Sequence, residues 1–217
     1  MRERLPSPRP RLRGLLHQYT FFASLPAVPF LFLTTRTARA TFAATVYGLS
    51  LVAMFGVSAL YHRVTWSVSA RRWLGRLDHA MIGVLIAGTF TPIGLLVLSG
   101  TLATVSLATI WGGACASILL HALWIDAPKW LSAALYVLLG WSGMAVMPGM
   151  VSHLGWGPTA LLGLGGALYS AGAVVYAIRR PNPSPAVFGY HEVFHALVIA
   201  AAVTHYAVVA VYVLPGA

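Results

Sequence analysis

Seven long apolar runs, separated by short polar connections, leave this chain one solvent in which it can fold. They cover roughly residues 15–34, 41–62, 77–98, 103–124, 129–147, 157–178 and 189–212. A membrane-spanning helix needs about 20 apolar residues, so seven such helices account for nearly all of the 217 residues. With 59% hydrophobic and only 8% charged residues, a water-soluble domain would lack the polar surface to stay dispersed. The runs are continuous rather than alternating, which excludes an outer-membrane barrel. The expected fold is therefore an all-α membrane protein: a basic tail over residues 1–14, then a single seven-transmembrane-helix bundle over residues 15–217. Pro26 and Pro29 interrupt the first run, and no small-residue cleavage site leads into a polar region. It reads as a first span bent at its prolines, not as a signal peptide.

The basic residues set the orientation. Arg2, Arg4, Arg9, Arg11 and Arg13 precede the first run. Arg63, Arg71, Arg72 and Arg76 are assigned to the second loop, Lys129 borders the fourth, and Arg179 and Arg180 lie in the sixth. These make up 12 of the 14 Lys and Arg residues and leave Arg36 and Arg39 for the opposite side. The positive-inside rule then puts the N-terminus in the cytoplasm and the C-terminus outside, in a multi-pass protein of the cell (plasma) membrane. The same bias, with anionic headgroups, accounts for the net charge of +10 without a nucleic-acid partner. Cys115 is the only cysteine, so no internal disulfide forms; mid-span, it reads as a packing residue. No inverted repeat of the transporter kind is visible.

Polar chemistry inside such runs is costly and marks function. His191-Glu-Val-Phe-His195 stands in the seventh run, and a helix stacks side chains four residues apart on one face, the spacing a chelated metal requires. His62 ends the second run at the same membrane side, Asp78 opens the third, and Ser58 lies one turn deeper than His62 on its face. Three neutral imidazoles suit zinc and leave a fourth tetrahedral position open, the layout of a catalytic site. Asp78 is then placed to accept a proton from water, and Ser58 to orient His62 or donate to a developing oxyanion.

Ser58-Ala-Leu-Tyr-His62, Asp78-His-Ala-Met-Ile and His191-Glu-Val-Phe-His195, with Arg11-Leu-Arg-Gly-Leu-Leu-His17 at the mouth of the first run, resemble the signature blocks of the hemolysin III family, the bacterial branch of the progestin and adipoQ receptors. The blocks occur in the family's order over essentially the whole chain. The resemblance implies seven helices with a cytoplasmic N-terminus and a zinc near the inner leaflet held by His62, His191 and His195. It places Asp78 to hold a water and Ser58 in support. It also implies ceramidase-like chemistry, the hydrolysis of a lipid amide or ester, with a membrane lipid as substrate or ligand. Arg13 and Gly14 depart from the acidic and asparagine neighbourhood of the eukaryotic receptors, which weakens a receptor reading without touching the metal site.

Three other readings compete. A non-enzymatic sensor would use zinc only to staple two helices. A pore-forming, haemolytic activity would need a cationic amphipathic helix, and none is visible. An intramembrane zinc protease would use Glu192 of His-Glu-x-x-His as general base, but neither Asp78-His79 nor Asp126-Ala127 supplies the usual third ligand in an Asp-Gly context. Of the other histidines, His121 and His153 read as hydrogen-bonded structural residues, and His17 and His79 adjoin the motifs. His205 stands too far along the seventh run to share the ion, about 15 Å by helical rise. The aromatic residues near span ends, among them Tyr19, Trp73, Trp130 and Trp156, read as interfacial anchors. Gly163, Gly165, Gly166 and Gly172 read as sites of close helix approach. Pro92, after Thr89 and Thr91, is expected to kink the third span and so to open a cavity above the metal.

Overall fold

The computed structural model describes residues 10–124 and 127–216, so the tail before Pro10 and Asp126 lie outside the described residues. Among the described residues the chain forms eight α-helices: α1 (Leu15–Phe32), α2 (Ala38–Arg63), α3 (Val68–Pro92), α4 (Gly100–Leu123), α5 (Lys129–Trp141), α6 (Met147–Leu154), α7 (Trp156–Ile178) and α8 (Tyr190–Val208). A tight 3₁₀ segment, Ser142–Val146, joins α5 to α6 into one rod, and π-helical turns extend α3 through Val97 and α8 through Val213. Six rods are long and apolar enough to cross a membrane: α2, α3, α4, the α5–α6 rod, α7 and α8. This is a multi-pass, all-α membrane protein. The eighteen-residue α1 packs against α2 and α8.

The helices close a ring. Each packs on its sequence neighbour, α5 packs on α7, and α1 meets α8. The apolar windows of α2 and α3 are 56% and 67% buried, that of α8 39%, against 22% for α4 and 17% for the α5–α6 rod and for α7, so α2 and α3 form the centre and α4, the α5–α6 rod and α7 face lipid. Leu33, Leu123, Trp130, Leu138 and Trp156 stand exposed, which only an apolar solvent tolerates on this scale. Trp73 and Tyr19 are exposed too, and with Trp130 and Trp156 they stand where interfacial anchors would. Cys115 is exposed as well, so it does not pack inside the bundle as its position suggested.

The helix starts follow from local chemistry. Thr37 and Ser67 cap α2 and α3, their hydroxyls accepting from the backbone N–H of Ala40 at 3.2 Å and Ala70 at 3.3 Å. Because Ser67 caps there, α3 begins nine residues before the apolar run at residue 77. Arg71, Arg72 and Arg76 are thus helical, not loop residues as expected, and Asp78 lies well inside the helix rather than at its opening. The arginines lower hydropathy without lowering helix propensity. Arg71 lies over the Tyr61 ring at 5.3 Å and Arg76 over Trp73 at 4.6 Å. The fifth rod likewise runs on to Leu154, past the expected end at residue 147. At the far end of α3, Pro92 has no N–H to give to the helix. A π-helical turn, Ile93–Val97, follows it at once.

Candidate metal centre

Four helices converge on one polar pocket in an otherwise apolar bundle. His62 is in the last turn of α2, Asp78 on α3, and His191 and His195 in the first two turns of α8. Nε2 of His62 and Nε2 of His191 face each other at 3.2 Å, and one ring nitrogen from each of His62, His191 and His195 lies within 4.8 Å of the others. Asp78 Oδ2 is 3.6 Å from His62 Nε2. The expected residues are thus brought together across 129 positions of sequence.

α1 closes the group. Gly14 is left-handed, at φ +77°, and a Cβ built on it would run into Cβ of His62, so this position requires glycine for both conformation and space. One turn on, the fully buried His17 meets the Ser58 hydroxyl through Nδ1 at 2.8 Å and stacks on His195 with ring centroids 3.7 Å apart. Ser58 is therefore paired with His17, where the sequence suggested that it would orient His62 or donate to a developing oxyanion. Before the helix, Arg11 and Leu12 donate their backbone N–H groups to the carbonyls of Ala186 and Val187. Arg13 forms an ion pair with Glu192.

Glu192 is buried and doubly engaged, accepting from Arg13 Nε and, at 2.8 Å, from the backbone N–H of Gly189. The second bond caps its own helix, and an acidic group in the first turn favours the helix dipole. A carboxylate committed to a cap and a guanidinium suits a structural tie more than the general base of a protease. The sequence contained one clue to this tie. Of its four acids, Glu3, Asp78, Asp126 and Glu192, only Asp78 and Glu192 fall inside apolar runs, and a carboxylate there needs a partner.

The remaining histidines stand apart from the trio. His79 Nδ1 donates to the Gly75 carbonyl at 2.7 Å and its Nε2 meets Tyr176 Oη at 3.1 Å. His121 donates to the Ser117 carbonyl at 2.8 Å and meets Ser132 at 3.1 Å. His205 donates to the Leu162 carbonyl at 3.0 Å. His153 is exposed beside Ser152.

Do the trio's residues fit zinc? Two ring nitrogens and a carboxylate oxygen pointing at one another set lone pair against lone pair unless a proton or cation lies between. Tetrahedral zinc with bonds of about 2.0–2.1 Å holds its nitrogens roughly 3.3 Å apart; the His62 and His191 nitrogens stand at 3.2 Å, and the whole trio, within 4.8 Å, reaches that spacing by small side-chain shifts. The donor set fits.

A cavity of about 410 Å³ begins at Asp78, His191 and His195 and runs between α3, α5 and α7 to Met150 and Trp156. Its far walls are mostly apolar. Gly163 and Gly166 border it with open space at their Cβ positions, whereas Gly165 and Gly172 pack against His205 and Phe194. Two of the four glycines thus serve close helix approach, and the other two widen the cavity. Ile93, in the turn after Pro92, is also part of the wall.

A multi-pass helical bundle with a histidine cluster that could hold a metal ion, at one end of an internal cavity, is the class these features define. Residues 7–206 match the family model described as Haemolysin-III related, and the chain belongs to that family. It is similar to Hemolysin-3 of Bacillus cereus, 30% identical over 207 residues covering 94% of this chain and 91% of the relative. The Hemolysin-3 homolog of Bacillus subtilis (strain 168) is 28% identical over 86% of this chain and 85% of its own. The Adiponectin receptor protein of Drosophila melanogaster is 31% identical over 73% of this chain but only 39% of its own length.

Proposed function

We propose that the protein is a zinc-dependent hydrolase of lipid amide or ester bonds, working near the inner leaflet of the cell membrane. α1 counts as the first of seven spans in this reading, and the N-terminus is cytoplasmic. His62, His191 and His195 hold the metal. Bound zinc supplies Lewis acidity, polarising a carbonyl and making water nucleophilic near neutral pH.

The protein's own residues do the rest. The Asp78 carboxylate takes a proton from the attacking water at Oδ2 and returns it to the departing amine or alcohol. Ser58 supports that end of the site through its hydroxyl. The cavity's apolar length binds an acyl chain and excludes bulk water from the reacting carbonyl. The observation that carries this reading is the meeting of an imidazole trio and a carboxylate with the polar end of an otherwise apolar cavity.

The test uses detergent-purified protein: zinc content is measured, and then release of fatty acid from N-acyl and O-acyl lipids. Hydrolysis that needs both zinc and Asp78 supports the reading. Zinc bound at full stoichiometry without turnover on any of these lipids refutes it. That result would favour the competing reading, in which the same metal staples α2 to α8 in a receptor or sensor, as the similarity to the Drosophila relative suggests.

A further inference from the structure

A histidine that binds a metal through one ring nitrogen is normally held in plane by a hydrogen bond from the other, to a carboxylate, a carbonyl or water. With Nε2 as its ligating nitrogen, His195 departs from that pattern. Its Nδ1 is buried without a hydrogen-bond partner among the described residues, and Glu192, the acid on the preceding turn, is committed to Arg13 and Gly189. Something else must hold the ring.

His17 is the group in contact with it. The two rings lie face to face, 3.7 Å between centroids and 10° from parallel. His17 is itself fixed on two further sides: Nδ1 meets Ser58 at 2.8 Å, and Phe55 abuts it edge-on at 5.1 Å and 76°. It reaches this position because the left-handed Gly14 turns α1 inward beside His62, one turn earlier. A fully buried imidazole in an apolar bundle is costly to retain for filling space alone, since leucine would fill it without a polar atom.

We propose that His17 is a positioning residue of the metal site: it holds the His195 ring in its ligating plane by stacking, in place of the usual hydrogen bond, while Ser58 sets the rotation of His17. The inference rests on the metal reading above. It extends the site to a fourth histidine and to α1, and assigns Ser58 a role through His17.

Cobalt(II) is the probe, because its visible spectrum reports ligand geometry without any need for turnover. Purified wild type, His17→Ala, His17→Asn, His17→Phe and Ser58→Ala are titrated with cobalt and then challenged with a chelator, each first checked for a single folded species. Loss of an outer-shell partner costs about 10–100-fold in metal affinity. His17→Ala and His17→Asn are expected to lose that much and to shift the cobalt bands. His17→Phe, which keeps a flat face on His195, is expected to recover to within about threefold of wild type, with Ser58→Ala between.

Phenylalanine doing no better than asparagine would overturn the stacking role. So would affinity and bands unchanged in every variant. Should His17→Ala fail to fold, the comparison of asparagine with phenylalanine decides alone. A wild type that binds no metal refutes the metal centre and this inference together; a wild type that binds cobalt but hydrolyses nothing leaves this inference standing and removes only the hydrolase.

Discussion

Asp78 and His79 are adjacent in sequence yet belong to two different groups, and the contrast separates candidate metal ligands from histidines engaged by carbonyls and hydroxyls. On one side, His62 and His191 turn ring nitrogens toward each other at 3.2 Å, and His62 turns toward Asp78 at 3.6 Å. On the other, His79 and His121 stack at 5.2 Å with Tyr136 beside them, and each gives Nδ1 to the carbonyl four residues earlier in its own helix. A carbonyl only accepts, so those nitrogens must carry hydrogen and have no lone pair to offer. The second nitrogen of each ring meets a hydroxyl, of Tyr176 or of Ser132. The second group is satisfied by carbonyls and hydroxyls of the protein; in the first, ring nitrogens and a carboxylate face one another.

The sharpest way to break this contrast is to remove a ligand from the first group. His191→Ala is expected to lower zinc affinity by at least about 100-fold, the upper end of what even outer-shell changes cost, and to abolish any zinc-dependent turnover. Zinc measured by elemental analysis after dialysis against a weak chelator decides it. Zinc retained at wild-type level would mean that the two groups do not differ as argued. Asp78→Asn separates ligand from base within the same group. Metal content should stay within about threefold of wild type while hydrolysis falls by roughly 10²–10⁴, the range of general acid–base catalysis. Parallel loss of zinc would make Asp78 a ligand instead.

How far was this contrast legible beforehand? Six of the seven expected spans were, because hydropathy reports which segments dissolve in lipid. It does not report where a helix starts, which is why the Ser67 cap and the arginine-rich first turns of α3 were read as loop. The trio was legible from the four-residue spacing of His191 and His195 and from the motif around His62. Helix periodicity also placed Ser58 on the His62 face, but it could not reveal that the partner is His17, because that contact depends on how α1 enters. The Arg13–Glu192 pair spans 179 residues and leaves no local pattern. Only the rarity of acids in the chain hinted that Glu192 needed a base.

That ion pair offers a smaller test of what lies between the two groups and the solvent. Glu192→Gln keeps an oxygen for the Gly189 cap but leaves Arg13 without its charge. Breaking a buried pair costs about 3–5 kcal/mol, but the Arg13 side chain is 21% exposed, so water recovers part of it and about 1–3 kcal/mol is expected. A lower unfolding temperature in detergent, with zinc stoichiometry unchanged, is the predicted pattern. Zinc loss as large as in His191→Ala would mean that the tie belongs to the metal centre.

The smallest effect is expected in the satisfied group, and there it is the most informative. His121→Ala removes a donor to the Ser117 carbonyl and an acceptor for Ser132. A carbonyl inside a helix keeps its backbone partner, so the orphaned group is the Ser132 hydroxyl, free to turn to its own helix. The cost should be that of one ordinary hydrogen bond plus lost packing, about 1–2 kcal/mol, read as a modest drop in unfolding temperature. Zinc affinity and turnover should match wild type, because both His121 nitrogens serve the protein and neither reaches the trio. A tenfold change in metal binding would show that the two groups communicate through His79 and Asp78, and that self-satisfaction by carbonyls is no guide to which histidines a membrane protein reserves for a metal.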